Sequence, residues 1–462
     1  MAILGAFAVP HPPIILPEIG RGEERRIQAT IDAYREAMRR VAALQPDTVV
    51  VTSPHATMYA DYFHVSPGEG ASGDFGAFRA PEVKVTAVYD SALARAIGEA
   101  CREAGIDGGT GAPREPQLDH GTMIPLHFLQ ECTTAVKVVR IGLSGMSPLQ
   151  HYRFGTCIAR AAEALGRRVV HLASGDLSHK LRADGPYGFS TEGPVFDREC
   201  MAALGNGDFL RLLSMDPALA EGAAECGLRS FWIMAGVLDG LAVTSEALSY
   251  EGPFGVGYGV AAFQVTGVDA SRRIGDQFAA VEAAQQEARR AEEDVYVKLA
   301  RYSLETFVTT RQRAALPEAL LPELTARRAG VFVSLKKNGQ LRGCIGTFQP
   351  TTAHVAAEIL QNAVSAGTED PRFSPVEPEE LADLVYSVDV LTDPEPVASE
   401  AALDAAKYGV IVEGRGGRRG LLLPALPGVN SVTEQVTIAR QKGGIGPKEP
   451  VQLYRFEVVR HH

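Results

Sequence analysis

The sequence predicts an α/β protein of two successive parts. The first is an N-terminal domain with a mainly parallel sheet flanked by helices, and the second is a smaller C-terminal α+β domain. Three observations carry this reading. A chain of 462 residues exceeds one ordinary hydrophobic core. Short apolar or β-branched runs alternate with helix-periodic stretches as far as residue 180. A stretch rich in Asp, Ser, Gln and Ala at 268–287 then separates that pattern from a second set of strands and helices.

Residues 2–9 are an apolar run that ends at Pro10-His11-Pro12-Pro13. Ile27, Ile31, Tyr34, Met38 and Val41 then recur at spacings of three and four, which predicts a helix. Asp47-Thr-Val-Val-Val-Thr is a β-branched strand running into Ser53-Pro54-His55. Val83–Tyr89 alternates as a strand, 91–104 reads as helix, Val136–Leu143 as strand and 148–165 as helix. Arg168–Ala173 is a strand that leads into Ser174-Gly-Asp-Leu-Ser-His179. In such sheets ligands bind beyond the carboxyl ends of the strands, which is where His11, His55 and His179 fall. Glu251-Gly-Pro-Phe-Gly-Val-Gly-Tyr-Gly259 precedes an apolar strand that ends near Val265. The boundaries expected are 1–267 for the first domain, 268–287 for a solvated, partly helical linker and 288–462 for the second domain.

The second domain opens on a helix through Tyr296, Leu299, Ala300, Tyr302, Ser303 and Phe307. Strands are expected at Gly330–Lys336, Val385–Leu391, Gly409–Val412, Gly420–Leu423 and Leu453–Val459, and helices near 353–366 and 431–441. Asn338-Gly339 reads as a hairpin turn.

A formal net charge of −11 argues against a broad basic surface for nucleic acid. Six cysteines, none in a C-x-x-C pair, read as a reduced, cytoplasmic chain without a disulfide framework. No apolar run has the length of a membrane span, and the apolar N-terminus lacks the basic segment of a signal peptide. His461 and His462 are set aside as a terminal pair.

Two histidines and one carboxylate on one face of a divalent metal leave positions open for substrate and oxygen. His11 and His55 sit after two strands, each beside proline. Leu118-Asp-His120-Gly-Thr-Met-Ile-Pro-Leu and Ala173-Ser-Gly-Asp-Leu-Ser-His179 add two histidines suited to acid/base work. Read structurally, Asp119-His120-Gly121 caps a helix and Asp176–His179 is a tight turn.

The set PHPP, SPH, LDHGTMIPL, SGDLSH and AECGLRSFWIMAGVL resembles the LigB-type, class III extradiol dioxygenases over about residues 1–267. That resemblance implies His11, His55 and Glu225 as metal ligands, His179 as acid/base and His120 lining the substrate side. It implies Fe(II), with another divalent metal such as Zn as the alternative, and a catechol-like aromatic diol and O2 as substrates. His179 would remove a substrate proton and later return one. Glu225-Cys226-Gly227 also resembles the Memo-like branch, which carries Cys-Gly here and need not be a dioxygenase. Glu225 is favoured as ligand over Cys226, and Glu251 is a weaker rival.

Leu341-Arg-Gly-Cys-Ile-Gly346, with Glu369-Asp-Pro-Arg-Phe373 and Gly420-Leu-Leu-Leu-Pro424, resembles the AMMECR family over about residues 288–462. Cys344 beside Arg342 reads either as a reactive thiolate or as a small buried cysteine. Gly414–Gly420 reads as an exposed turn before an anion site. The pairing of Memo-like and AMMECR-type domains resembles the AmmeMemoRadiSam system. A radical-SAM protein partner is therefore the alternative expectation, with the first domain as a non-oxygenase metal-binding module. A homo-oligomer is compatible with all of this.

Overall fold

The computed structural model describes residues 1–318, 322–337, 340–426 and 428–462. It divides into two compact units, Met1–Glu282 and Ala283–His462. The first contains a six-stranded sheet. Its strands are β1 (Ile3–Val9), β2 (Thr48–Ser53), β3 (Lys137–Gly142), β4 (Val169–Ser174), β5 (Leu241–Glu251) and β6 (Tyr258–Val268), in spatial order β3-β2-β4-β1-β6-β5. The first four are mutually parallel, and β6 and β5 continue the sheet antiparallel.

The central parallel strands are covered on both faces, which is why they read as largely apolar or β-branched runs. Phe7, Val9, Val49, Val51, Val170 and Leu172 face helices α1 (Gln28–Ala43) and α3 (His120–Gln130). Ala6, Ala8, Val50, Val139 and Ala173 face α2 (Ser91–Glu103), α4 (Pro148–Ala164) and α5 (Leu228–Val237) on the other side. Among the described residues no helix is long and apolar enough to cross a membrane.

The structure departs from expectation in three places here. The run Val83–Tyr89 falls in a strand, Ala80–Val88, that pairs with Gly70–Phe75 in a separate two-stranded ribbon instead of joining the main sheet. Strand β5 went unread because, as an edge strand, it is polar enough to lack a clear pattern. Residues 268–287 include the start of helix α6 (Ile274–Glu292), whose Ile274 and Phe278 are buried in the core of the first unit.

The second unit holds two four-stranded sheets. One orders Gln340–Thr347, Val331–Lys337, Leu384–Leu391 and Val458–His461; the other orders Glu395–Val397, Gln452–Phe456, Gly409–Glu413 and Arg419–Leu422. Helices Val295–Thr310 and Val355–Thr368 pack on the first sheet through Val297, Leu304, Ile359 and Ala363. The single strand expected at Leu453–Val459 is two strands, one in each sheet. The chain breaks at Glu457, whose N–H donates to Thr392 Oγ1 at 2.8 Å while its carbonyl accepts the Thr392 N–H at 3.0 Å. The Asn338-Gly339 turn lies outside the described residues.

A chain ending at residue 267 lacks Ile274 and Phe278, and burying each such side chain stabilises by roughly 1.5–3 kcal/mol. Residues 1–282 are therefore expected to melt at least about 5 °C above residues 1–267 in calorimetry. Equal melting temperatures would show that the start of α6 contributes nothing to the unit.

Candidate metal centre

Parallel register brings the chemistry together. Val9 at the end of β1 pairs with Ser174 at the end of β4, so the Pro-His-Pro turn and the Ser-Gly-Asp loop leave the sheet side by side. Pro10 and Pro12 restrict the backbone around His11. The His11 N–H donates to Asp176 Oδ1 at 2.8 Å. The His11 side chain is buried, and its Nδ1 lies 2.9 Å from Ser174 Oγ. That hydroxyl spends its own hydrogen on the Gly121 carbonyl at 2.6 Å, so it accepts from His11 Nδ1–H. His11 Nε2 is left bare as a donor atom. Burial, then the neighbouring His55, pushes the His11 pKa down to about 3, so the ring is neutral.

His55 follows Ser53, the last residue of β2, and is the exposed member of the group. Its Nε2 lies 3.0 Å from His11 Nε2. Cys226 Sγ is 3.7 Å from His11 Nε2. The three donor atoms lie within 4.8 Å of one another. A tetrahedral ion with bonds near 2.0–2.3 Å spaces N and S donors about 3.3–3.6 Å apart. The separations here, 3.0 Å between the nitrogens and 3.7 Å from the sulfur to His11, bracket this spacing, so the two imidazole nitrogens and the sulfur fit a transition metal.

Cys226 reaches the histidines because two glycines touch. A Cβ on Gly175 would lie 2.1 Å from the Gly227 Cα, so the loop after β4 crosses the turn before α5 only with a glycine at 175. Across that contact the Asp176 N–H donates to Cys226 Sγ at 3.3 Å, and the Cys226 N–H donates to the Asp176 carbonyl at 3.3 Å. Burial pushes the Cys226 thiol up, with Asp176 and Glu225 adding to the shift. A bound cation works against that shift.

Glu225, the expected third ligand, is not in the converging group. Its Oε2 accepts the N–H of Leu228, the first residue of α5, at 2.6 Å, as suits a carboxylate at a helix N-terminus. Burial raises its pKa to about 7. Glu251 is spent elsewhere, accepting from Thr30 N and Thr30 Oγ1 at 2.7 Å each.

His120 opens α3 and stacks on His55 at 4.0 Å between ring centroids, with Phe78 at 5.3 Å on another side. Burial, then His55 and His11, pushes its pKa down to about 3. His179 holds its Nδ1 2.7 Å from the Ala224 carbonyl, which makes Nδ1–H the donor and leaves Nε2 free to move a proton. The edge of the Tyr187 ring covers it at 5.2 Å. Two further residues, Ser174 and Asp176, went unassigned at the level of sequence. Their signal was their place in a Ser-Gly-Asp triplet directly after a buried strand.

Residues 5–261 match the family described as the catalytic LigB subunit of aromatic ring-opening dioxygenase, and residues 297–461 match AMMECR1. Protein CA_C1420 of Clostridium acetobutylicum is 40% identical over 469 aligned positions, covering 100% of this chain and 99% of that protein. A protein of Thermotoga maritima is 50% identical over 171 positions, covering 37% of this chain and 98% of its own length. Uncharacterized protein JW3007 from Escherichia coli K12 aligns over 56% of this chain and 99% of its own, at 17% identity and a TM-score of 0.38. The chain therefore belongs to the LigB family, with a LigB domain at residues 5–261 followed by an AMMECR1 domain at residues 297–461.

Proposed function

We propose that the first unit is a mononuclear transition-metal enzyme on the LigB scaffold, with the metal held by His11, His55 and Cys226. The observation that carries this reading is the convergence of Cys226 Sγ, and not the Glu225 carboxylate, with the two imidazole nitrogens. A thiolate among the donors makes the site softer than a two-histidine, one-carboxylate set and resembles the Memo-like branch. When bound, the metal supplies Lewis-acid and redox chemistry. The chain's own groups do the rest. His179, fixed by the Ala224 carbonyl, takes a proton from a substrate hydroxyl at Nε2 and returns it. His120, kept neutral by burial, lines the approach to His55 together with Phe78.

The second reading is extradiol opening of a catechol-like diol with O2 at Fe(II), with Glu225 as third ligand. Two observations favour it: the LigB family match, and a Glu225 carboxyl placed next to Cys226 with a pKa raised by burial. It requires that carboxylate to leave the Leu228 amide.

Metal analysis of anaerobically purified full-length variants separates the two. Cys226→Ser is expected to lose the metal, while Glu225→Gln keeps it near the wild-type level. The reverse result would hand the third position to the carboxylate. Oxygen uptake with a panel of catechols then tests ring opening. If the wild type turns over any member, His179→Ala is expected to cut the rate about 10²–10⁴-fold with metal content unchanged. A metal-free His179→Ala protein would make His179 a ligand instead.

A further inference from the structure

We propose that the first turn of α3, Asp119–Thr122, is a bracket that holds both histidine donors in place, with Asp119 as its positioning residue. The inference rests on the metal-binding reading above. An ordinary helix cap needs one side-chain acceptor for one orphan amide, and Asp119 Oδ1 provides it to the Thr122 N–H at 2.9 Å. The same carboxylate does more. Oδ1 also accepts Ser53 Oγ–H at 2.5 Å, and that Ser53 oxygen accepts the His55 N–H at 3.2 Å. Oδ2 accepts from Thr122 Oγ1 at 2.8 Å and from Arg140 Nε at 3.1 Å. Arg140, 2% exposed, compensates the buried charge and is itself held by the Gln117 carbonyl and Glu115.

The second histidine is tied to the same turn by backbone. Gly121 O accepts from Ser174 Oγ, which holds His11 Nδ1. Gly121 is also where the turn presses on the site. A Cβ there would meet Ser53 Oγ at 2.4 Å and His55 Cδ2 at 3.3 Å. Two chains of contact, His55–Ser53–Asp119 and His11–Ser174–Gly121, therefore end within three residues of one another. Hydrogen bonds behind ligands fix their placement and donor spacing, here through the ring of His11 and through the backbone of His55.

The fold supplies its own control. Asp90 caps α2 through the Leu93 N–H and also accepts from Thr48 Oγ1 at 2.8 Å and Arg167 Nε at 2.9 Å. It is 1% exposed, so its chemistry parallels that of Asp119. Thr48, however, starts β2 where Ser53 ends it, so Asp90 anchors the opposite end of the sheet from the histidines.

The test uses full-length, anaerobic protein with Co(II) alone as probe. Affinity is read by competition with a chelator, thiolate ligation by the sulfur-to-cobalt charge-transfer band, and ligand geometry by the d–d bands. Asp119→Asn is expected to weaken Co(II) binding about 10–100-fold and to shift the d–d bands. Asp90→Asn should lower the melting temperature comparably while leaving affinity and spectrum at wild-type values. Ser53→Ala keeps the cap on Thr122 but cuts the tie to His55, and should reproduce the Asp119→Asn spectrum with a smaller loss of stability. Wild-type affinity and spectrum in both Asp119→Asn and Ser53→Ala would overturn the bracket and leave the metal reading standing. So would an equal affinity loss in Asp90→Asn. A wild-type chain that takes up no Co(II) would sink the metal reading, and the bracket with it.

Discussion

Gly175 and Gly227 touch backbone to backbone: a methyl on Gly175 would meet the Gly227 Cα, and one on Gly227 would press on Phe231 and the Asp176 carbonyl. The first opens the exit loop of a parallel strand; the second precedes a buried helix. Their contact sets Asp176 and Cys226 side by side, the Asp176 N–H donating to the Cys226 sulfur and the Cys226 N–H to the Asp176 carbonyl, and it carries the sulfur into reach of His11. The rest of the centre is ordinary α/β geometry: histidines beyond the carboxyl ends of parallel strands, held at fixed spacing by the sheet's register.

The electrostatics of the group follow from burial. His11 and His120 are driven to their neutral forms, while the Cys226 thiol and the Asp176 and Glu225 carboxyls are pushed towards theirs. A cluster that resists charge of either sign on its own side chains is one in which an added cation meets no competing positive group. It gains from every donor that it turns anionic. Asp119, by contrast, keeps its carboxylate charged beside Arg140, and it bonds to hydroxyls and an amide, not to the imidazole nitrogens.

Much of the first unit was legible in the sequence because its central strands are buried on both faces and are dominated by apolar or β-branched residues, with His171 in β4 and Arg140 in β3 as buried exceptions. β1, β2, β3 and β4 fall where those runs lie, and α1 where Ile31, Tyr34, Met38 and Val41 recur. What escaped was decided by tertiary contact. β5 is an edge strand whose mixed sequence takes its conformation from pairing with β6. The apolar run from Leu453 divides at Glu457 because two sheets compete for it. Of the site, the histidines could be read from their proline and glycine settings, but the choice between Glu225 and Cys226 could not. Adjacent residues point in different directions, and here Glu225 finds a helix amide before it finds the histidines.

The two cysteines that the sequence singled out meet opposite fates for the same kind of reason. Cys226 is drawn into a group of nitrogen donors. Cys344 sits on the edge strand Gln340–Thr347, where its N–H donates to Asp370 Oδ2 at 2.9 Å and its carbonyl accepts from Arg372 at 3.2 Å. Together those two side chains stand in for a neighbouring strand and close the sheet edge at that residue. Its sulfur accepts a hydroxyl, Ser334 Oγ at 3.2 Å. Arg342 pairs with Glu380 through Nε at 3.0 Å and Nη2 at 2.8 Å and donates to the Ser374 carbonyl. A cysteine beside an arginine in sequence is thus a clamped strand residue in space.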